Sequence, residues 1–505
     1  MITTVEAQAV EAQAREPRAG IVRLLLTRGH LVLWSWRRLR PWLGFGGMAI
    51  ALALLGVAAT QLRSPILFRV RVPGLVAVVV LGVGLGFRGW IRLRARRRHR
   101  SRGAVALDVL AVVYGALLIL VLLHGEVRFF QQRRRVLAAG GRAEIARWSR
   151  HMVVGYTSVA SLRQLIARVE LAGIFVTARN IHGRSAAQLR AEISSLQALN
   201  RRLGRPKLLI MTDQEGGAVT RLSPPLSPLP ALGELVSGAG WRRRVRDQAT
   251  RSADELRAIG VTMNLAPVVD LKIPLRRHLD LHTRLDERAI SADPQRVAEA
   301  AEIYAEALWR RGVLATAKHF PGLGYVPQDT HQFAGRLSRS EADLLAADWL
   351  PYRRLAKASI PVAVMVGHVV ATQIDPEHLA SSSPVILDLL RREVGHQGLV
   401  ITDDLCMTPI YRSPGGIAAR ARDALAAGVD LLLITYDPAQ IYPTLDTLSR
   451  LSFTRVPKVA LRLSAARLRL SRQLRREVAY TDTVEFYGLA IGGRYGAMSR
   501  LQPRS

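Results

Sequence analysis

Residues Val313–His319 read VLATAKH, an apolar run that ends abruptly in a lysine and a histidine. The run lacks the apolar–polar alternation of a half-solvated strand, so it suits a strand covered on both faces. The same design recurs on either side of it. Gly173–Thr177 (GIFVT), Leu208–Thr212 (LLIMT), Val261–Leu265 (VTMNL), Val362–His368 (VAVMVGH), Leu399–Asp403 (LVITD) and Val429–Thr435 (VDLLLIT) are of similar length and composition. Amphipathic stretches such as Pro294–Arg310 and Ser383–Val394 lie between them. Strand–helix alternation sustained over ~300 residues predicts a parallel α/β fold. Seven strands are visible and an eighth is expected near Lys458–Leu461, which favours a (β/α)8 TIM-type barrel over an open sheet. The polar residues point the same way. Asp213, Asn264, Lys318, His319, His368, Asp403 and Asp404 all stand at strand ends, and in a barrel enzyme the active site is built on that one rim.

Upstream, the chain changes character. Pro41–Gln61 contains no charged residue, Val72–Phe87 is rich in Gly and Val, and Ala104–His124 holds a single acid, Asp108. A membrane helix needs ~17–25 apolar residues, so an all-α transmembrane module of about three helices is expected, with spans near 41–61, 72–90 and 104–124. Arg37, Arg38 and Arg40 precede the first stretch, and Arg92 to Arg102 crowd the loop before the third. Basic loops stay in the cytoplasm. The expected arrangement is a cytoplasmic segment 1–40, the spans, a linker over 131–147, a barrel over 148–475 on the extracytoplasmic side, and a tail over 476–505. Arg133, Arg134 and Arg135 oppose that orientation.

The net charge is +33 over 505 residues. The basic residues are mostly Arg and are spread along the chain, with no aromatic-interleaved basic strand, so no nucleic-acid partner is expected. Cys406 is the single cysteine, which excludes an intramolecular disulfide and a cysteine-based zinc cluster.

Five segments carry chemistry: DQEGGAVTRL (Asp213–Leu222), NLAPVVDL (Asn264–Leu271), DERAISADPQRV (Asp286–Val297), AKHFPGLGYVPQDTH (Ala317–His331) and GLVITDDLCM (Gly398–Met407). In this order and spacing they resemble glycoside hydrolase family 3, in its single-domain β-N-acetylhexosaminidase branch, over about residues 148–475. The resemblance implies Asp403 as nucleophile. It also implies an Asp-x-His acid/base pair, Asp329 and His331, on a Gly- and Pro-rich loop that acts as a flap. Substrate-contacting positions map to Asp213, Arg221, Arg288, Lys318 and His319, and His368 is a further candidate for the pocket. Asp404 is expected to bind a loop, and Gly216 and Gly217 to let the backbone pass close to substrate. The carbohydrate substrate needs no metal or other cofactor for this chemistry. One departure stands out: the family usually reads KHFPGHG, and Leu323 replaces the second histidine. A catalytically inactive wall- or protein-binding barrel and a β-glycoside phosphorylase are the competing readings.

Overall fold

The computed structural model describes residues 56–57, 61–95, 102–274, 282–358 and 360–451. They form two compact units that divide at Glu126/Val127, with Ser64–Phe68 grouped in the second.

In the second unit, eight parallel strands close into a barrel in chain order. They are β1 (Met152–Val154), β2 (Gly173–Phe175), β3 (Leu209–Thr212), β4 (Met263–Asn264), β5 (Leu314–Phe320), β6 (Val362–Val366), β7 (Val400–Asp404) and β8 (Leu431–Ile434). The ring closes where Val153 pairs with Leu433 on one side and Gly173 on the other. The outer layer is α1 (Val159–Arg168), α2 (Ala186–Arg202), α3 (Trp241–Ala258), α4 (Pro294–Arg310), α5 (Leu350–Lys357), α6 (Pro384–Arg392), α7 (Gly416–Ala427) and α8 (Ile441–Leu448). Local signals fix several helix starts: Ser185, Asp293 and Ser383 each cap a first turn through the side chain, satisfying amides that have no partner within the helix.

The expected strand at Lys458–Leu461 lies outside the described residues, and the barrel closes with eight strands without it. The eighth is Met152–Val154, ahead of the other seven. Three residues are too few to show a period. The strands also divide their side chains between two cores. Val153, Leu209, Met211, Leu314, Ile401 and Leu433 fill the barrel, whereas Met152, Val154, Ile210, Ala315, Val400 and Leu432 face the helices. Both faces are apolar, which is why the runs do not alternate. The stretch 131–147 is helical to Ala139 and again over Ala143–Ser149. Val136, Ile145 and Trp148 are buried in the outer core, and Arg135 donates to both carboxylate oxygens of Asp446 on α8 at 2.7 and 2.9 Å.

In the first unit, the expected spans near 72–90 and 104–124 fall within helices Arg71–Arg94 and Arg102–Ala139. Two helices here are long and apolar enough, by length and composition, to cross a membrane. The expected first span, Pro41–Gln61, lies almost wholly outside the described residues. The two helices run antiparallel and meet through glycine: a Cβ on Gly115 would stand 2.5 Å from the Gly82 carbonyl oxygen, and one on Gly89 2.7 Å from that of Asp108. Small residues allow such close backbone approach. Val76, Val80, Phe87, Leu110, Leu117 and Leu120 remain exposed.

Candidate active site

On β7, Ile401 belongs to the barrel-filling layer. Side chains alternate along a strand, so Asp403 points into the barrel mouth. Its Oδ1 accepts the Asp404 backbone N–H at 2.8 Å. Burial works to raise its pKa, yet His319, His368 and His331 around it hold the carboxyl below its ordinary value. Asp403 is therefore an anion facing three imidazoles. Asp404 turns the other way and binds the loop after β8, accepting Thr435 Oγ1 at 2.5 Å and the Tyr436 N–H at 2.7 Å.

Two consecutive side chains on β5 serve the same rim. A regular strand would send them to opposite faces, but the register against β6 shifts between Lys318 and Phe320 and re-aims them. Lys318 Nζ donates to Asp213 Oδ1 at 2.8 Å and lies 2.6 Å from Glu215 Oε1. His319 Nδ1 sits 2.7 Å from Asp270 Oδ2. A carboxylate only accepts, so Nδ1 carries a hydrogen. Asp270 also accepts the backbone N–H groups of His319 and Leu323, at 3.1 and 2.7 Å.

Glu215 was not singled out from sequence, yet it joins two of the residues that were. It is buried and accepts Arg288 Nε and Nη2, each at 2.8 Å, in addition to Lys318. Burial works to raise its pKa, but the two cations hold it well below the ordinary carboxylate range. Between Asp213 and Glu215, the backbone of Gln214 is clamped by Asn264 on β4: Oδ1 accepts its N–H at 2.9 Å and Nδ2 donates to its carbonyl at 2.8 Å. Arg221 is exposed, with its backbone N–H on the Asp213 carbonyl at 3.1 Å. His368 is buried behind Asp403. Its Nε2 donates to the Asp404 carbonyl at 3.2 Å and its Nδ1 faces the Ser381 hydroxyl at 2.8 Å, and burial pushes its pKa down.

The glycines of DQEGG pack tightly against a loop of the chain itself. A Cβ on Gly216 would collide with the Pro230 carbonyl and one on Gly217 with Ala231.

Asp329 and His331 lie on the loop after β5. The Asp329 carboxylate is fully buried, while the His331 ring is 42% exposed and stands 3.4 Å away through Nδ1. Asp329 Oδ1 accepts the His331 backbone N–H at 3.0 Å and the Thr283 hydroxyl at 3.0 Å. The Thr408 N–H, just past β7, donates to the His331 carbonyl at 3.0 Å. Contacts thus run from Lys318 through Glu215, Arg288 and Thr283 to His331, and His331 joins His319 and His368 in acting electrostatically on Asp403; Arg221 meets this group only through its backbone on Asp213.

At the Leu323 departure, the side chain is buried in the core. Next to its neighbour Gly322, neither carboxyl oxygen of Asp348 has a hydrogen-bond partner among the described residues, and Arg339 Nη2 is 3.7 Å off. Burial pushes Asp348 up to about 7, against the pull of Arg339. A carboxyl raised in this way favours the fold only while protonated. Stability should fall as pH climbs from about 4 to about 7, by at most about 4 kcal/mol. Asp348→Asn is expected to raise the melting temperature at pH 8 and to change it little at pH 4; equal melting temperatures at pH 8 would show that the carboxyl finds a partner.

The family model described as the glycosyl hydrolase family 3 N terminal domain matches residues 149–469. A β-hexosaminidase of Pseudomonas aeruginosa is 32% identical over 295 residues, covering 58% of this chain and 83% of the relative. Among solved structures, a glycosyl hydrolase family 3 member from Mycobacterium smegmatis is 30% identical with a TM-score of 0.56, over 65% of this chain and 98% of that one. A β-N-acetylhexosaminidase from Beutenbergia cavernae is 27% identical with a TM-score of 0.58, over 66% of this chain and 99% of that one.

Proposed function

The chain belongs to glycosyl hydrolase family 3, and from that premise we propose that it is a membrane-anchored, retaining exo-glycosidase. It removes terminal β-linked N-acetylhexosamine, chiefly N-acetylglucosamine, from cell-wall fragments. The observation that carries this reading is the Asp403 carboxylate, held as an anion at the barrel mouth among His319, His368 and His331.

An oxocarbenium-like transition state needs a carboxylate on one side of the ring and a proton donor at the leaving oxygen. Asp403 attacks the anomeric carbon as the bond to the leaving oxygen breaks. His331, protonated at Nε2 and oriented through Nδ1 by Asp329, delivers the proton to that oxygen. The same nitrogen then takes a proton from water, whose oxygen displaces Asp403 and frees the sugar with its configuration retained. Asp213, Lys318, His319 and Arg288 bind the sugar hydroxyls. A β-hexosaminidase name on the Pseudomonas relative supports the choice of sugar.

The two apolar helices, and a third span at 41–61, anchor the barrel, and the arginines between 92 and 102 keep their loop in the cytoplasm. That arrangement puts the barrel outside. One assay tests both parts: spheroplasts carrying the full chain are given a membrane-impermeant fluorogenic β-N-acetylglucosaminide. Turnover before lysis is expected, with little on the matching β-glucoside. Turnover only after lysis would reverse the orientation, and silence before and after would overturn the activity.

A further inference from the structure

We propose that His282 is a second imidazole of the acid/base centre, a positioning residue that clamps one oxygen of Asp329 so that the other stays turned to His331. This deepens the reading above and rests on it.

The two oxygens of Asp329 have separate clients. Among the described residues, Oδ2 takes only His282, through Nδ1 at 3.1 Å and through the backbone N–H at 3.3 Å. Oδ1 takes the Thr283 hydroxyl and the His331 backbone N–H, each at 3.0 Å, and faces His331 Nδ1 at 3.4 Å. Thr283 Oγ1 also lies 3.3 Å from His331 Nδ1. A buried carboxylate has one soft torsion, the rotation that exchanges its oxygens, and the His282 ring is the side chain that blocks it. Without that ring, Oδ2 keeps only a long backbone contact. The carboxylate could then turn away from the imidazole it must orient.

The placement of His282 fits this role better than a packing role. A histidine serving only the fold would be buried against backbone, as His396 is, with Nε2 on the Leu399 carbonyl at 3.2 Å. His282 is instead 55% exposed, and its ring centroid lies 5.8 Å from that of His331. Two imidazoles therefore flank one buried carboxylate at the open side of the site. Asp329 is correspondingly held well below its ordinary pKa: burial works upward, but hydrogen bonds from His331 and His282 outweigh it.

Positioning of an acid matters in proportion to how much the leaving group needs a proton. The test compares kcat/KM of the full chain with His282→Ala and His282→Asn on two β-N-acetylglucosaminides. One carries 2,4-dinitrophenol, which departs unprotonated, and the other is chitobiose, which does not. Alanine is expected to lose about tenfold on chitobiose and less than about twofold on the dinitrophenyl substrate. Asparagine places an N–H near the former Nδ1 and should restore most of the loss. Equal losses on both substrates, no loss on either, or alanine and asparagine behaving alike would overturn the proposal while leaving the function intact. A parent silent on both substrates would overturn the function and this proposal together.

Discussion

Asp403→Asn is expected to lower kcat/KM on an aryl β-N-acetylglucosaminide by about a thousandfold or more, in line with loss of a covalent nucleophile. The substitution is nearly isosteric, and the asparagine oxygen can still accept the Asp404 N–H that Asp403 accepts at 2.8 Å. What disappears is the negative charge beside His319, His368 and His331, on the group proposed as nucleophile. Those imidazoles lie close to the carboxylate, so the fold should tolerate the change or gain from relief of desolvation. Activity measured beside the melting temperature separates the two effects. A variant that melts like its parent and has lost the rate places the chemistry at Asp403. One that keeps a tenth of the rate or more would leave Asp403 as an electrostatic neighbour and send the search for the nucleophile elsewhere on the rim.

The barrel was legible because its strands are buried on both faces, so β2 to β8 stand out as apolar runs between amphipathic stretches. β1 was not, since three residues of MVV carry no period. Asp403, Lys318 and His319 could be found because each ends such a run, and Asp329–His331 because a motif brackets it. Their pairings could not. Asp270 lies 49 residues from His319, His282 lies 47 from Asp329, and Lys318 meets Asp213 across 105. No local pattern announces a pairing at that distance; only closure of the barrel brings the loops together. Glu215 stood in plain view within DQEGG, but a carboxylate flanked by glycines reads as a turn until two cations are seen to converge on it.

Glu215→Ala is expected to cost about 3–5 kcal/mol of stability, the usual result of removing one partner from a buried ionic group. Side-chain exposure is 6% for Glu215, 7% for Arg288 and 3% for Lys318, so solvent cannot replace what is lost. Lys318 would keep Asp213 at 2.8 Å, and Arg288 the Thr283 carbonyl at 2.8 Å, but two buried cations would share one partly exposed carboxylate. Glu215→Gln separates charge from shape. It keeps an acceptor oxygen, so it should retain the packing and lose the ionic part. Because the Glu215 carboxyl is held far below its ordinary pKa, its contribution is present above about pH 4.5 and is lost as pH falls toward the folded-state value. Parent and glutamine variant should therefore differ clearly in unfolding free energy at pH 7 and converge in strong acid. A gap that stays constant from pH 7 down to pH 2 would mean that the glutamate acts through its shape alone. Activity should fall with the same substitution even where the barrel remains folded, because Lys318 and Arg288 would no longer be held where the sugar hydroxyls meet them. An unchanged KM in a folded Glu215→Gln enzyme would remove both cations from the substrate site and leave them as part of the barrel wall.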